Sequence, residues 1–364
     1  MGMLLPAILV LKGTLAMLNK DQKQELGDGA TAIQAGRDVY VGVTADEARN
    51  IALDVAKVTF YELSGTARQT ASDRVEEITN KVIEKLEKDF PAGLQKAEDP
   101  DFQYSLLTVQ KEYARNGDED LGDLLVDLLV DRSKQDNRNI LQIVLNESLA
   151  TAPKLTDTQL SCLAIIFLFR YTQNHGIGNH AMLGEYFDKH VQPFNGRLVK
   201  NSASYQHLEF TGCGSIQMGE ITLEDILGQL YQGLFLKGFD STEIEERGIT
   251  VGHDPRFFIP CLNDSTKLQV RANNKEALDK NLDAFSIQDN DREKIIALLN
   301  HGKMNRQEIR DKCIQIRPYM KEIFDVWSES PMKSFTLTSV GMAIGHANIK
   351  RLIGEFADLS IWVN

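Results

Sequence analysis

The segment over residues 157–173 constrains the fold more than any other. Its sequence is Asp-Thr-Gln-Leu-Ser-Cys-Leu-Ala-Ile-Ile-Phe-Leu-Phe-Arg-Tyr-Thr-Gln, which places apolar side chains on nearly every face of a helix. A helix that is apolar all round has to be covered on all sides rather than along one stripe. We therefore predict that this helix lies at the buried centre of a helical bundle.

A second strong pattern begins at Thr44. Thr44 and Glu47 match the T-x-x-E capping box, in which each side chain satisfies a backbone N–H of the first helical turn. Apolar residues then recur at steps of three and four before Gly65, and again from Val75 until Pro91 ends the pattern. An unbroken helix would contain about 45 residues and extend roughly 65–70 Å. The pattern thus predicts either a break near Gly65 or a long antiparallel or coiled-coil arm.

Helical patterns cover most of the remaining chain. They lie over residues 102–114, 121–132, 138–150, 223–235, 274–284, 291–300, 305–328 and 338–353. Short strands are expected at 256–259 and 359–363. Residues 194–220 are rich in Gly and Ser, so we place a domain boundary there. The predicted fold is mainly α, with a helical bundle domain over 44–193 that starts with a long helix, and a second α-rich domain over 194–364 with minor β structure.

Three carboxylates repeat along one predicted helix, at Asp123, Asp127 and Asp131. Like charges at i and i+4 destabilise a helix unless another group answers them. The pattern is typical of a solvated helix face, with Arg132 available as a partner.

The charge balance argues against nucleic acid as a partner. The chain has 40 Lys and Arg against 52 Asp and Glu, a formal charge of −12, and an acidic surface repels phosphate. The four cysteines are far apart and include no C-x-x-C pair, which fits a reduced, cytoplasmic setting better than a zinc or disulfide framework. We expect no cofactor.

Residues 1–25 form a separate N-terminal stretch. Residues 4–11 are apolar, but no basic residue precedes them, and the run is far shorter than the roughly 20 residues of a membrane-spanning helix. The polar stretch after Met17 looks like a natural start. We interpret residues 1–25 as a tail or a mis-started segment, and we do not expect a membrane partner.

Residues 26–43 combine glycines with two short β-prone pieces. Val39, Val41 and Val43 alternate with other residues as in a strand, and Gly36-Arg37-Asp38 can form a hairpin turn. An isolated hairpin is only marginally stable in water, so this one needs a partner in its own chain or in another copy. Low charge, a Gln and the absence of Pro are typical of strands that stack between chains. The predicted assembly residues are Ile33, Gln34, Gly36, Val39 and Val41.

A histidine-rich stretch offers candidate metal ligands. His175, His180 and His190 lie within 16 residues, with Glu185 between them. Imidazole and carboxylate groups bind zinc or iron, but this spacing matches no standard ligand pattern. The alternative is a Gly-Ile-Gly loop that joins two helices. The metal site therefore stays a hypothesis beside a structural role for all three histidines.

The stretch Gly27-Asp28-Gly29-Ala30-Thr31-Ala32-Ile33-Gln34-Ala35-Gly36-Arg37-Asp38-Val39 resembles N-terminal segments of bacterial proteins associated with phage defence. Its Ile33–Gly36 core is similar to RHIM-like amyloid signalling motifs. The continuation through Glu62-Leu63-Ser64-Gly65, with Asp358-Leu359-Ser360-Ile361-Trp362 near the C-terminus, looks like an uncharacterised bacterial family. The resemblance implies signalling by assembly. It brings no catalytic residues.

These observations predict a non-enzymatic assembly, sensor or adaptor protein that forms homo-oligomers through residues 26–43 and contacts a protein partner. Two alternatives remain open at this level. One is a metal-dependent hydrolase that uses the three histidines. The other is a membrane-acting effector that uses residues 3–11 or the apolar run at 162–169.

Overall fold

The computed structural model describes residues 43–59 and 63–363, and helices dominate this part of the chain. The predicted hairpin over 26–42 lies outside the described residues. Fifteen α-helices occur in the described part. Their bounds are α1 Ala45–Thr59, α2 Gly65–Asp89, α3 Pro100–Asn116, α4 Glu119–Ser133, α5 Ile140–Thr151, α6 Asp157–Tyr171, α7 His180–His190, α8 Ser202–Phe210, α9 Leu223–Leu230, α10 Thr242–Glu246, α11 Lys275–Ala284, α12 Asp289–Asn300, α13 Arg306–Ile316, α14 Met320–Glu329 and α15 Ser339–Ile353. The mainly α fold class is confirmed.

The predicted capping box is present at the start of α1. The Thr44 amide donates to Glu47 Oε2 at 2.9 Å, and the Glu47 amide donates to Thr44 Oγ1 at 3.3 Å. The long helical pattern is divided, because α1 as described ends at Thr59 and α2 starts at Gly65 with a φ of +61°. Arg49 reaches Asn80 while Ala56 packs near Ala71, so α1 and α2 lie antiparallel. Of the two predicted alternatives, the break near Gly65 is confirmed, and one continuous helix is not formed.

The apolar segment forms α6, and its predicted burial is confirmed. Every residue from 159 to 169 is buried. Thr156 and Gln159 close the N-terminus of α6 with a second capping box. α15 packs along α6, and the two backbones approach so closely that a Cβ on Gly345 would lie 2.9 Å from the Leu163 carbonyl oxygen. α6 therefore occupies the centre of the main core.

Two small antiparallel sheets complete the fold within the described residues. β1 Gly214–Ile216 pairs with β4 Phe335–Leu337, and β2 Phe258–Pro260 pairs with β3 Leu268–Val270. β2 matches the strand expected near 256–259. β3 and β2 border a second, smaller hydrophobic core with α11 and α12.

Two local expectations were wrong. The pattern over 305–328 forms two helices, because Pro318 forces Arg317 into an extended conformation after α13. The expected strand at 359–363 is a short 3₁₀ helix over Leu359–Ile361. The Asp358 carboxylate caps this turn by accepting from the Ser360 amide at 2.9 Å.

The stretch from Val43 to Asn364 clusters as one compact unit. The main core takes residues from both sides of residue 194, including Phe167 before it and Phe335 after it. The domain boundary at 194 stays a prediction. In the described part of the chain, no helix combines the length and the apolar character that crossing a membrane requires. The four cysteines are buried and carry no disulfide.

Gly345→Ala is expected to destabilise the protein by about 1–3 kcal/mol, because the new methyl group overpacks the contact between α15 and the α6 backbone. Gly228→Ala is the matched control within α9, where the methyl group meets only the flexible end of Ile309 at 3.0 Å. Ala is the better helix former, so the control should be neutral or slightly stabilising. Urea unfolding of both variants measures the difference, and equal midpoints would contradict the expectation.

Candidate functional site

A cleft with both charge signs opens between α2, α4 and α15. Its volume is about 440 Å³. The lining residues are Lys81, Glu84, Lys85, Lys88, Asp123, Val126, Asp127, Lys350, Arg351 and Gly354. Five of them are cations and three are carboxylates, in a protein whose overall charge is negative. This cleft therefore gathers charged side chains of both signs from three helices.

The two long helices build the cleft by matching their helical periods. Lys81 and Lys85 lie one turn apart on α2, and Asp123 and Asp127 lie one turn apart on α4. Lys81 Nζ lies 2.9 Å from Asp123 Oδ1, and Lys85 Nζ lies 3.1 Å from Asp127 Oδ1. On the other side of α4, Lys350 of α15 contacts Asp131 at 3.0 Å. Each carboxylate of the acidic stripe thus has its own lysine.

Asp127 is the buried centre of this set of ion pairs. The residue is 5% exposed. Burial raises the pKa of its carboxyl above the ordinary value, although Lys85 and Lys350 pull it down. Burial alone would lower the pKa of Lys85, but Asp127 and Asp89 outweigh burial and leave it raised. Each member of the pair thus opposes the effect of burial on the pKa of the other.

The expectation of a solvated helix face holds for Asp123, which is half exposed, and was wrong for Asp127 and Asp131, which are mostly buried. α15 covers one side of α4, and α2 covers the other side. Asp127 and Asp131 therefore lose most of their exposure to solvent. Arg132 does not form an ion pair with the acidic stripe either, so that expected partner was wrong as well. It is buried on the opposite side, where it pairs with Asp101 and donates to Asn146 Oδ1 at 3.3 Å. Its guanidinium lies 6.0 Å from the centroid of the Phe102 ring.

The chemistry of the cleft follows from its side chains. Its lining contains no His, Cys, Ser or Thr, and its ionisable groups are lysines, an arginine and carboxylates. Within the described chain, Glu84 and Lys88 on the rim of the cleft make no ion pair, while the deeper lysines are already neutralised. A partner would have to bring both charge signs and exchange ion pairs. The cleft thus presents charged groups that a partner carrying both charge signs could contact.

The structure places the three candidate metal histidines in separate environments. His175 is exposed in the loop before α7. His180 Nε2 lies 2.8 Å from the Leu234 carbonyl oxygen, and His190 Nδ1 lies 3.2 Å from the Tyr186 carbonyl oxygen. Among the described residues, no group of three or more His, Cys, Asp or Glu is arranged to hold a metal ion. The metal hypothesis therefore gains no geometric support here.

The predicted assembly residues lie outside the described residues. These are Ile33, Gln34, Gly36, Val39 and Val41. Val43, which ends the segment, is described. Its amide donates to Gln95 Oε1 at 3.1 Å, and Gln95 Nε2 donates back to its carbonyl oxygen at 3.4 Å. This amide clamp fixes the point at which the chain enters α1.

The sequence carried a partial signal for the cleft. The spacing of Asp123, Asp127 and Asp131 was visible, and so was the matching spacing of Lys81 and Lys85. Nothing in the sequence indicates that these two helices are neighbours. Lys350 lies 219 residues from Asp131 in the chain, and helical periodicity cannot predict a contact over that separation. The Val43–Gln95 clamp carried no sequence signal, since single amides pair with any nearby backbone.

Of three comparisons with known proteins, one finds a match. A protein-family model whose description reads ":-like" matches residues 42–363. A search of curated proteins and a search of solved structures each give no match. The matched region includes every residue of the charged cleft and begins one residue before the Val43 clamp.

Lys85→Met is expected to destabilise the protein by about 1–3 kcal/mol at pH 7.5, because it leaves the buried Asp127 carboxylate without its nearest cation. Lys81→Met is the matched control, since its partner Asp123 is half exposed and the expected cost is below about 1 kcal/mol. Denaturant unfolding at pH 7.5 and pH 5.0 measures both.

The cost of Lys85→Met should shrink at the lower pH. A carboxyl whose pKa is raised in the folded state binds a proton more readily than in the unfolded state, so its penalty falls as the pH falls. Equal costs for the two lysine variants, or a cost that grows towards pH 5.0, would contradict this account.

Stability should decrease as the pH falls from 7 to 5. Burial lowers the pKa of His180 and of His190, so the unfolded chain takes up protons first, from about pH 6.5 downwards. The expected loss is at most about 1.4 kcal/mol per pH unit for each ring. A His180→Gln, His190→Gln double variant should show a shallower pH dependence of the unfolding free energy. His253→Gln, at an exposed site, is the control and should keep the original slope.

Proposed function

Because the chain belongs to the family whose model matches residues 42–363, we propose that this family body displays residues 26–43 as an assembly element. In this proposal the protein is a non-enzymatic assembly, sensor or adaptor protein. Copies associate when residues 26–43 of neighbouring chains pair with each other.

The Val43–Gln95 clamp is the observation that carries the proposal. It attaches the end of the segment to the helical body at one point, directly before the capped first turn of α1. Every copy would thus hold Val43 at the same place on its own body. The family match over residues 42–363 includes this clamp and the helical body that follows it.

The chemistry of the segment supports pairing between chains. Asp28, Arg37 and Asp38 leave it with a charge of −1, and it contains no Pro. Alternating valines from Val39 to Val43 would give a strand one apolar face, and Gln34 can add a side-chain amide ladder. A short strand with these properties gains most when another strand covers its unpaired N–H and C=O groups.

The resemblance of residues 27–39 to segments of bacterial phage-defence proteins suggests the setting. We propose a cytoplasmic bacterial protein in which a protein partner or ligand triggers assembly. The mixed-charge cleft is a candidate surface for that trigger, since Glu84 on its rim can contact a positive group and Lys88 a negative group of the partner. The body needs no cofactor for this role.

Two other functions have less support. A metal-dependent hydrolase would use His175, His180 and His190, which do not form a metal-binding group in the described chain. A membrane-acting effector would use residues 3–11 or the run at 162–169, and the latter is buried inside α6. Neither alternative has a geometric observation comparable to the clamp.

The full chain should form a multimer in light scattering, and a Val39→Asp, Val41→Asp double variant should be a monomer. Two carboxylates on one face of a strand repel the equivalent carboxylates of the paired strand in the next copy. Gln22→Asp with Gln24→Asp is the matched control, since it adds the same charge outside the segment and should leave the mass unchanged.

A protein that is already monomeric as the full chain would overturn the proposal. So would a Val39→Asp, Val41→Asp variant with the mass of the parent. Far-UV circular dichroism of each variant checks that the helical body has folded before the masses are compared.

A further inference from the structure

The segment over residues 354–363, here called the C-terminal strap, is attached to the helical body by few groups. Leu359 and Val363 are buried, and Phe356 and Trp362 pack partly against the main core. The Trp362 indole N–H donates to the Tyr171 carbonyl oxygen at 2.7 Å. The other six residues of the strap are exposed. Segments with so few buried contacts open more readily than the core that carries them.

His346 of α15 lies directly beneath this strap. It is 3% exposed, and its Nε2 lies 2.6 Å from the carbonyl oxygen of Ala357. The rings of Phe167, Phe356 and Trp362 surround the imidazole, with centroid distances of 6.1, 5.6 and 6.1 Å. Two of these three rings belong to the strap, so the strap forms much of the wall around His346.

The hydrogen bonds determine which nitrogen carries the proton. A carbonyl oxygen only accepts, so Nε2 of His346 has to be the donor to Ala357. Nδ1 is then the unprotonated nitrogen. It is buried and has no hydrogen-bond partner among the described residues. A second proton would therefore place an N–H donor and a positive charge where no acceptor faces it, and such a group is costly to bury.

Charged groups from the neighbouring elements modify this cost. Burial lowers the pKa of His346 most. The hydrogen bond to Ala357 and the carboxylates of Asp131 and Asp358 oppose that shift, Lys350 adds to it, and the pKa stays below its ordinary value. The titratable groups around the ring and the strap are Asp131 on α4, Lys134 directly after α4, Tyr171 on α6, His190 on α7, Lys350 on α15 and Asp358 in the strap itself. Neither of the two carboxylates is hydrogen bonded to Nδ1.

We propose that His346 is an acid-sensitive latch for the C-terminal strap. The free-energy cost of protonating Nδ1 is relieved when the strap lifts, because the imidazolium then reaches water. The same movement breaks the Nε2–Ala357 hydrogen bond and uncovers the aromatic surface of Phe167. The latch is independent of the assembly segment, since it uses only residues of the helical body.

Hydrogen exchange on the full chain tests this latch. Protection factors, corrected for the intrinsic pH dependence of exchange, are measured for peptides from residues 354–363 at pH 7.5 and pH 5.5. Strap protection should fall by up to about tenfold at pH 5.5, which is the proton linkage expected for a histidine that titrates at about 6.5 only when the strap is open. Peptides from α12 should keep their protection, which separates strap release from global unfolding.

Two variants decide whether His346 is responsible. His346→Gln keeps an amide donor but cannot titrate, so its strap protection should be the same at both pH values. His180→Gln is the matched control, since His180 Nε2 lies against the Leu234 carbonyl oxygen rather than against the strap, and it should retain the wild-type response. Trp362→Phe removes the bond to Tyr171 but keeps His346, so it should lower strap protection at pH 7.5 and still respond to pH.

Three outcomes would overturn the latch. They are a wild-type strap with equal protection at both pH values, a His346→Gln strap that still responds, and a Trp362→Phe strap that no longer responds. The last result remains decisive if His346→Gln fails to fold, because Trp362→Phe leaves the titrating group in place.

Discussion

The contact between α6 and α15 is the constraint on which the rest of the structure depends. α6 has no solvent-facing stripe, so each of its faces requires a covering element, and α15 supplies the closest cover. Glycine at position 345 permits the approach, because any side chain there would meet the α6 backbone. The alignment of α15 in turn decides where Lys350 meets α4 and where His346 meets the strap.

The charged cleft is a consequence of this packing as much as of the charges themselves. A stripe of carboxylates on an isolated α4 would be unfavourable, since its members lie one turn apart. α2 and α15 bring one lysine to each carboxylate, so the same stripe becomes a set of bonds between three helices. Burial makes Asp127 the most sensitive member, because a buried charge depends entirely on its partner.

The assembly proposal and the latch concern opposite ends of the chain and share the same helical body. At the N-terminal end, Gln95 holds the backbone of Val43 with two amide hydrogen bonds. At the C-terminal end, His346 holds the backbone of Ala357 with one. Both attachments use a side chain of the body and a main-chain group of the attached segment. Only the histidine attachment contains a titratable group, so acid distinguishes the two.

The sequence by itself determined the helical class, the burial of α6 and the capping box at Thr44, because periodicity and caps act within a few residues of one another. It left open whether the long pattern breaks near Gly65, and it misjudged Asp127, Asp131 and the last turn at 359–361, whose states depend on distant partners. Only the tertiary structure decided that Lys85 faces Asp127, that Arg132 points away, and that His346 lies under the strap. Those contacts join residues far apart in the chain, and local patterns carry no information on which helices become neighbours.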